Sequence, residues 1–569
     1  MTELHGSPPQ ESSPGDASTR DALAVQLGQR SGKDCLDWLL AQHEAGALVR
    51  QLPEQDLYWL VKGVGPDESV PLLELASEEQ WQHLLDLEIW AKDRIDLEAV
   101  GRWLQRLIQA DASRLIEWLF SEEGELFAYA YLSQLVDVFI PEPDAHHLIP
   151  EGYSSLDGVH FFLVRNSDLR PALEKLLRIL AVRDSIRYAS FLETLAGLIP
   201  GEAEEELYRL RNTRLAEKGF RPFEEAAAVY APLDPALLHG DPPLPVARIH
   251  AEDRPHVPVL PLSRAGGDSL LARVAARIGD PILLDRLRLE LATLANQVLS
   301  AEGPAGIEYT DLLGACHKSL GYVSLALEAT AGGDPTGAEE LLRRHHILAL
   351  FRAGVGLVMR LKWDLERWLR GSWFRRSGFP DSLWGDAWEG VLSGLQRKRP
   401  LYFTGQAGKT TYRDFARLSE VEECRLVLGR LRLLDRLLQT LTAQTALGPA
   451  YLQGAGATFH PLLFTRWART FLGTEASLHA LELQDARAFL AAWQAAVRTS
   501  SDGGRAVETA FVEAFVARLP DLDAEDAPLL QGTLALLYRE FVEEHAAVAP
   551  QDLGPRYSRL LAIQAPRQP

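Results

Sequence analysis

The sequence predicts an all-α protein: an N-terminal superhelix of short helices, solenoid-like in its stacking, then a Pro-rich linker, then a C-terminal helical bundle. Three observations carry this prediction. Between Leu48 and Ile108, helix-start signals recur at Pro53-Glu54, Pro66-Asp67-Glu68, Ser77-Glu78-Glu79-Gln80 and Asp96-Leu97-Glu98, each followed by an apolar stripe. Eight prolines fall between Pro232 and Pro261, the composition of a linker or a long wrapped loop. Beyond Asp268 the apolar spacing is helical throughout, and the helices lengthen.

At 569 residues the chain exceeds what one compact core holds, which suggests about three or four domains or one extended array. Residues 1–20 are rich in Ser, Pro, Gly and Asp and are expected to be a disordered tail. A superhelical domain is expected over 21–140, a helical continuation over 141–231, the linker or wrapped loop over 232–265, and a C-terminal helical domain over 266–569. In the first of these the start signals near 52, 65 and 76 are spaced by about one short helix and a turn. Ser77 with Gln80 forms a capping box, each side chain satisfying an orphan backbone donor. From Asp96, the residues Leu97, Val100, Trp103, Leu104, Leu107 and Ile108 make one continuous helical face. Helices this short do not persist alone in water, so they must stack on neighbours. Gly158–Val164 (GVHFFLV) is the best strand candidate, although periodicity does not separate a strand from a buried helix in so short a run. Later helices are expected at 281–301, 307–330, 336–370, 420–446, 475–498, 504–518 and 528–547. In the fourth, leucines from Leu426 to Leu441 leave little polar surface on two faces, which places that helix centrally in a bundle.

Charge narrows the function classes. With 58 basic and 79 acidic residues, the net charge is −21, a surface that repels nucleic-acid phosphates and anionic lipid heads. No nucleic-acid partner is therefore expected, and with no run of 18 apolar residues, the closest being Ile347 to Leu361, no membrane insertion is expected. Cys35, Cys316 and Cys424 are widely separated and odd in number, which argues against a disulfide framework and for a reducing compartment. The first residues carry neither a basic n-region nor an apolar h-region, so a cytoplasmic location is expected.

Candidate chemistry is sparse. Gly405-Gln-Ala-Gly408-Lys409-Thr410-Thr411 suggests a phosphate loop, but the glycine due at 403 is Phe403 and the loop is two residues short. A helix–helix loop is expected instead, with Thr411 and Asp414 capping a short helix and Ser419 with Glu422 capping the next. The pairs His146-His147 and His345-His346 lack the i, i+4 spacing of zinc ligands. The first is expected in a loop, the second on the surface of a long helix. The acidic runs at 202–206 and 521–526 and the pair Glu543-Glu544 lack the spacing of a calcium loop and suit helix starts and solubility. No catalytic residue, metal site or cofactor is expected. The tryptophans, such as Trp81, Trp103 and Trp368, sit on apolar stripes and are expected in the core. The remaining candidate is a basic stripe on the helix at 202–218. Arg211, Arg214 and Lys218 fall at i, i+3 and i+7, with Asn212 beside them, and Arg211 has no carboxylate one turn before it, where Arg209 has Glu205. Such a stripe would take a phosphate, a carboxylate ligand or an acidic helix, or it would pair with the protein's own carboxylates. Gly219 is expected as the helix C-cap glycine.

The segments Leu52-Pro53-Glu54-Gln55-Asp56-Leu57-Tyr58-Trp59-Leu60-Val61-Lys62, Gln80-Trp81 through Leu85-Asp86-Leu87-Glu88, and Arg209 through Phe220 ending in Glu224-Glu225-Ala226 resemble an uncharacterised bacterial family known only as a domain of unknown function. That resemblance implies an all-helical fold, and because the family has no established activity it transfers no catalytic residues. Over residues 48–110 alone, the helix starts look like the superhelical N-terminal domain of MgtE-type magnesium transporters, which implies superhelical packing but no magnesium sensing. The expectation is thus a non-enzymatic cytoplasmic scaffold or regulatory protein with an unknown protein partner. The alternative is an enzyme or sensor of a small anionic ligand using Arg211, Arg214, Lys218 and Asn212.

Overall fold

A helix of two or three turns has too few internal hydrogen bonds to offset its nucleation cost, so the N-terminal helices stand by packing. The computed structural model describes residue 23, residues 26–28 and residues 30–564, apart from 123, 143–148, 241–248, 251–253, 265–266, 268, 305, 406–411, 444–457, 501–503 and 556–557. The 1–20 tail, the His146-His147 pair and the body of the 405–411 loop lie outside the described residues. After α1 (Gly32–Leu40) and α2 (Ala45–Gln51), helices α3 (Glu54–Val64) and α5 (Glu78–Glu88) start at the predicted signals, and α4 (Val70–Leu75) starts just after Pro66-Asp67-Glu68. The Ser77–Gln80 capping box opens α5. Packing links α1 to α3, α2 to α4, and α3 to α5. Six consecutive residues of α3, Asp56 to Val61, are buried, because α3 also meets helices from much later in the chain.

A short hairpin, β1 (Trp90–Ala91) and β2 (Arg94–Ile95), leads into α6 (Leu97–Leu119), which Asp96 caps by accepting from the backbone N–H groups of Glu98 and Ala99. Inside α6 the chain kinks at Asp111, whose carboxylate caps the second half through the N–H groups of Ser113 and Arg114. Next come α7 (Glu125–Leu135) and a three-stranded antiparallel sheet of β3 (Val136–Phe139), β4 (Ser154–Ser155) and β5 (Phe161–Val164), ordered β3-β5-β4. Val136 faces Val164 and Phe139 faces Phe161, so the 158–164 stretch contains a strand. Helices α8 (Arg170–Arg183), α9 (Ser185–Gly197), α10 (Pro200–Glu217) and α11 (Phe223–Ala226) follow. The described parts of the Pro-rich stretch pack against this unit: Leu238, Val257 and Val259 are buried, and the N–H of Leu233 donates to the Arg352 carbonyl. It ends in α12 (Leu260–Arg264), and α13 (Leu270–Ala275), α14 (Pro281–Glu302), α15 (Tyr309–Ala331) and α16 (Pro335–Arg344) complete the unit with the first turns of α17 (Ile347–Gly371).

Carboxylates recur at the ends of elements other than their own, and the first of them is buried. Asp56 of α3 accepts from the N–H groups of Val259 and Leu260 at the start of α12. Glu290 of α14 accepts from the Ile347 N–H at the start of α17, and Glu204 of α10 from that of Ile95 in β2. Each satisfies donors that a helix start or strand end leaves orphaned, and the charge suits the positive end of a helix. These contacts fix long-range register in a way apolar packing alone does not.

Contacts divide the chain into two compact units, Met1–Val355 and Gly356–Pro569. The second contains α18 (Trp373–Arg376), α19 (Asp386–Gln396), α20 (Leu418–Thr442), α21 (His460–Phe471), α22 (Leu483–Thr499), α23 (Arg505–Val516) and α24 (Asp526–His545), with a two-stranded hairpin of β6 (Tyr402–Phe403) and β7 (Tyr412–Arg413). Its core is aromatic: the Trp467 ring lies 5.0 to 5.7 Å from those of Phe489, Phe511, Tyr538 and Phe541. Asp435 of α20 caps α18 through the N–H groups of Trp373 and Phe374.

Several expectations need correction. The 336–370 helix is two helices, because His345 is extended (φ −122°, ψ 150°) and ends α16. His345 is buried and bonds the Leu238 carbonyl, so it is not a surface residue of a helix. The segment before α20 is a β-hairpin, and α20 starts at Leu418. Glu420, not a Ser419–Glu422 pair, takes the free N–H groups of Ala416 and Arg417. Leu426 is 42% exposed, whereas Leu428, Leu431 and Leu434 are buried as expected.

Candidate functional site

Three helices of the first unit bring polar side chains to one place. On α3, Glu54, Tyr58 and Lys62 recur every four residues along one face. On α5, His83 and Asp86 lie one turn apart within the run HLLDLE, amid buried leucines. On α10, Arg211, Arg214 and Lys218 share a face. Gly219 ends α10 with φ +90°, as the C-cap reading requires. A Cβ there would come within 2.6 Å of the Thr293 carbonyl oxygen of α14. Asn296 of α14 donates to the Lys218 carbonyl at 2.7 Å, satisfying one of the last orphan acceptors of the helix.

The basic stripe meets the protein's own acceptors. Arg214 grips Asp86 in a two-point pair, Nε to Oδ2 and Nη2 to Oδ1, each at 2.8 Å. Nε of Arg211 donates to the Asp86 carbonyl oxygen at 2.6 Å, and its Nη1 donates to Oδ1 of Asn212 at 2.9 Å. Its guanidinium also lies over the Trp90 ring, 5.2 Å from the centroid. Lys218 pairs with Glu54. Beside them, Tyr58 donates to Glu88 at 2.7 Å and Lys62 donates to the same carboxylate at 3.1 Å. Arg209 pairs with Glu206 rather than with Glu205.

Burial sets the protonation chemistry. Asp86 is 6% exposed, and desolvation pushes its carboxyl above the usual range despite the opposing pull of Arg214, Arg211 and Lys218. Burial also lowers the Arg211 guanidinium and raises the Tyr58 phenol, the latter helped by the Glu88 charge. His83 is 4% exposed, and its Nε2 is buried without a hydrogen-bond partner. Burial, then the charges of Lys218 and Arg214, bring its pKa down to about 3, so the ring is neutral near pH 7. The sequence reading missed Asp86 and His83 as members. Polar residues interrupting an apolar helical run were the available signal.

Opposite the stripe, α10 turns its other face to an open groove of about 1000 Å³. Glu202, Glu205, Glu206 and Glu217 line it along α10; Pro222 and Glu225 of the next turn close one end. Glu202, Glu205, Glu217 and Glu225 have no charged partner among the described residues. No group of three or more His, Cys, Asp or Glu side chains among the described residues is placed to hold a metal ion. Among those residues no helix is long and apolar enough to cross a membrane.

A family model described as "Family of unknown function (DUF6178)" matches residues 15–564. No curated protein and no solved structure matches the chain. The likeness of residues 48–110 to a magnesium-transporter domain has no counterpart among these findings.

Proposed function

The chain belongs to the family of unknown function DUF6178, which brings no activity with it, and we propose that this protein is a non-enzymatic cytoplasmic scaffold or regulator acting through protein–protein contact. The groove on α10 carries this reading. The helix is anchored on one side by Asp86, Glu54 and Asn296, and on the other it offers a rigid, open, acidic surface with unpaired carboxylates. A rigid helix face loses little entropy on docking and selects its partner by charge. The superhelical stacking of the N-terminal helices belongs to this reading, since stacked short helices suit extended contact surfaces. A photo-crosslinking residue placed at the exposed Thr213 should give a discrete protein adduct in the native host. The double variant Glu205→Lys/Glu217→Lys should abolish it. Repeated preparations without any groove-dependent adduct would remove the support for this reading.

The unpartnered Nε2 of His83, beside two cations, favours a second reading: a small anion held by Arg211, Arg214, Lys218 and Asn212. Such a ligand must compete with Asp86 and Glu54 for the same donors. A ligand bound only by the native state raises its melting temperature. Saturating phosphate or nucleotide should therefore shift Tm upward, and less in Arg211→Gln. No shift with any phosphorylated compound would count against the anion site.

A further inference from the structure

The first unit carries an exposed corner whose charge complements the α10 groove. Helices α8 and α9 are joined by a single residue, Asp184, whose carboxylate caps α9 through the Arg187 N–H. So short a joint makes a sharp corner. On its outside stand Val182 and Ile186, 84% and 82% exposed, the two most exposed large apolar side chains among the described residues. Isolated exposed aliphatics are ordinary, but two at one protruding corner are a contact feature. The corner is also basic. From Arg170 to Arg187 the chain has five Arg or Lys residues and two acidic ones, in a protein of net charge −21. Lys175 and Arg178 lie on the same face of α8 as Val182, and neither has a charged partner among the described residues.

The groove is the counterpart. Five glutamates and two arginines line it, and Tyr208, Ala216 and Pro222 add apolar surface. Helix α9 has 13 residues, so it holds the corner roughly 20 Å from the start of α10. Val182 and Ile186 stand exposed, so the corner does not sit in its own groove, and a groove that takes it belongs to another molecule.

We propose that the α8–α9 corner of one copy of this chain docks in the α10 groove of a second copy. Val182 and Ile186 enter against the apolar surface, and Lys175 and Arg178 meet the unpaired glutamates. Because the two surfaces differ, the contact is head-to-tail and propagates beyond a dimer unless the geometry closes a ring. The proposal rests on the reading of the groove as a docking surface and names its occupant.

Light scattering on the full-length chain tests it. Between about 1 µM and about 100 µM the mass should at least double, from 63.1 kDa for one chain. The corner variant Val182→Asp/Ile186→Asp and the groove variant Glu205→Lys/Glu217→Lys should each stay at the mass of one chain. Their equimolar mixture should form a dimer and nothing larger, since each retains one half of the contact. Circular dichroism checks that both variants fold; Val182→Ser and Glu217→Gln are milder replacements should either fail. A wild-type chain that stays monomeric, a corner variant that still self-associates, or a mixture that stays monomeric would each overturn the proposal. A monomeric wild type together with a groove-dependent adduct to a different protein would overturn self-docking alone and leave the docking reading of the groove intact.

Discussion

Replacing Asp86 with alanine is expected to destabilise the first unit by about 3 kcal/mol, the lower end of the range for removing one partner of a buried pair, because the Arg214 side chain keeps 31% of its surface exposed. Two cations depend on this residue. Arg214 loses both of its hydrogen bonds to the carboxylate, and Arg211, which is bound to the Asp86 carbonyl, loses the neighbouring negative charge while burial already opposes its own. The large term is the uncompensated charge left behind, not the lost attraction. Asp86→Asn keeps the shape and one acceptor, so it should cost less than alanine does. The double variant Asp86→Leu/Arg214→Met removes both charges together and should recover much of the loss. The chain has two compact units, and a global unfolding curve need not be two-state. Hydrogen exchange of α5 and α10 amides reads the first unit directly. A change below about 1 kcal/mol for Asp86→Ala would mean the pair behaves as a solvated surface bridge.

Much of this architecture was legible in the sequence, and the residues show why. Capping is local: Ser77 with Gln80, Asp96, and Gly219 each act within a few positions, so their chemistry is written beside the helix it stops or starts. The helix faces of α5 and α6 follow from apolar spacing for the same reason. Capping across the fold is not local. Nothing near Val259 announces that Asp56, two hundred positions away, takes its N–H, and nothing near Arg214 announces Asp86. The basic stripe was therefore visible while its partners were not. His345 shows the same limit: Arg343-Arg344-His345-His346 has an unbroken helical pattern, but the Leu238 carbonyl and the Glu290 carboxylate draw His345 and His346 out of the helix.

His83 makes the second large prediction, a dependence of stability on pH. Its folded pKa, about 3, lies below the ordinary histidine value of about 6.5. The unfolded chain therefore binds a proton that the folded chain refuses. The stabilising contribution is complete above about pH 6.5 and is lost as pH falls. Between pH 7.5 and pH 5.0 the loss from this group alone is about 2 kcal/mol, from 1.36 kcal/mol per pH unit below the unfolded value. Burial sets the direction first; Lys218 and Arg214 then repel the protonated form of the ring, and the Tyr58 ring packs edge-on against it. Asp86 works the other way. Its raised folded pKa makes the folded state take a proton more readily than the unfolded state as pH falls toward 3.8, which offsets part of the His83 loss at the acid end of the window. His345 and His545 are also lowered by burial and add losses of the same sign, so wild type alone does not isolate His83. The difference between wild type and His83→Leu does, since every other group is common to both and the variant leaves no buried Nε2 behind. Exchange-derived stability of α5 should fall with acidification by about 2 kcal/mol more in wild type than in the variant. Parallel pH profiles for the two proteins would show that His83 takes up its proton in the folded state and that the cluster around Asp86 is open to water.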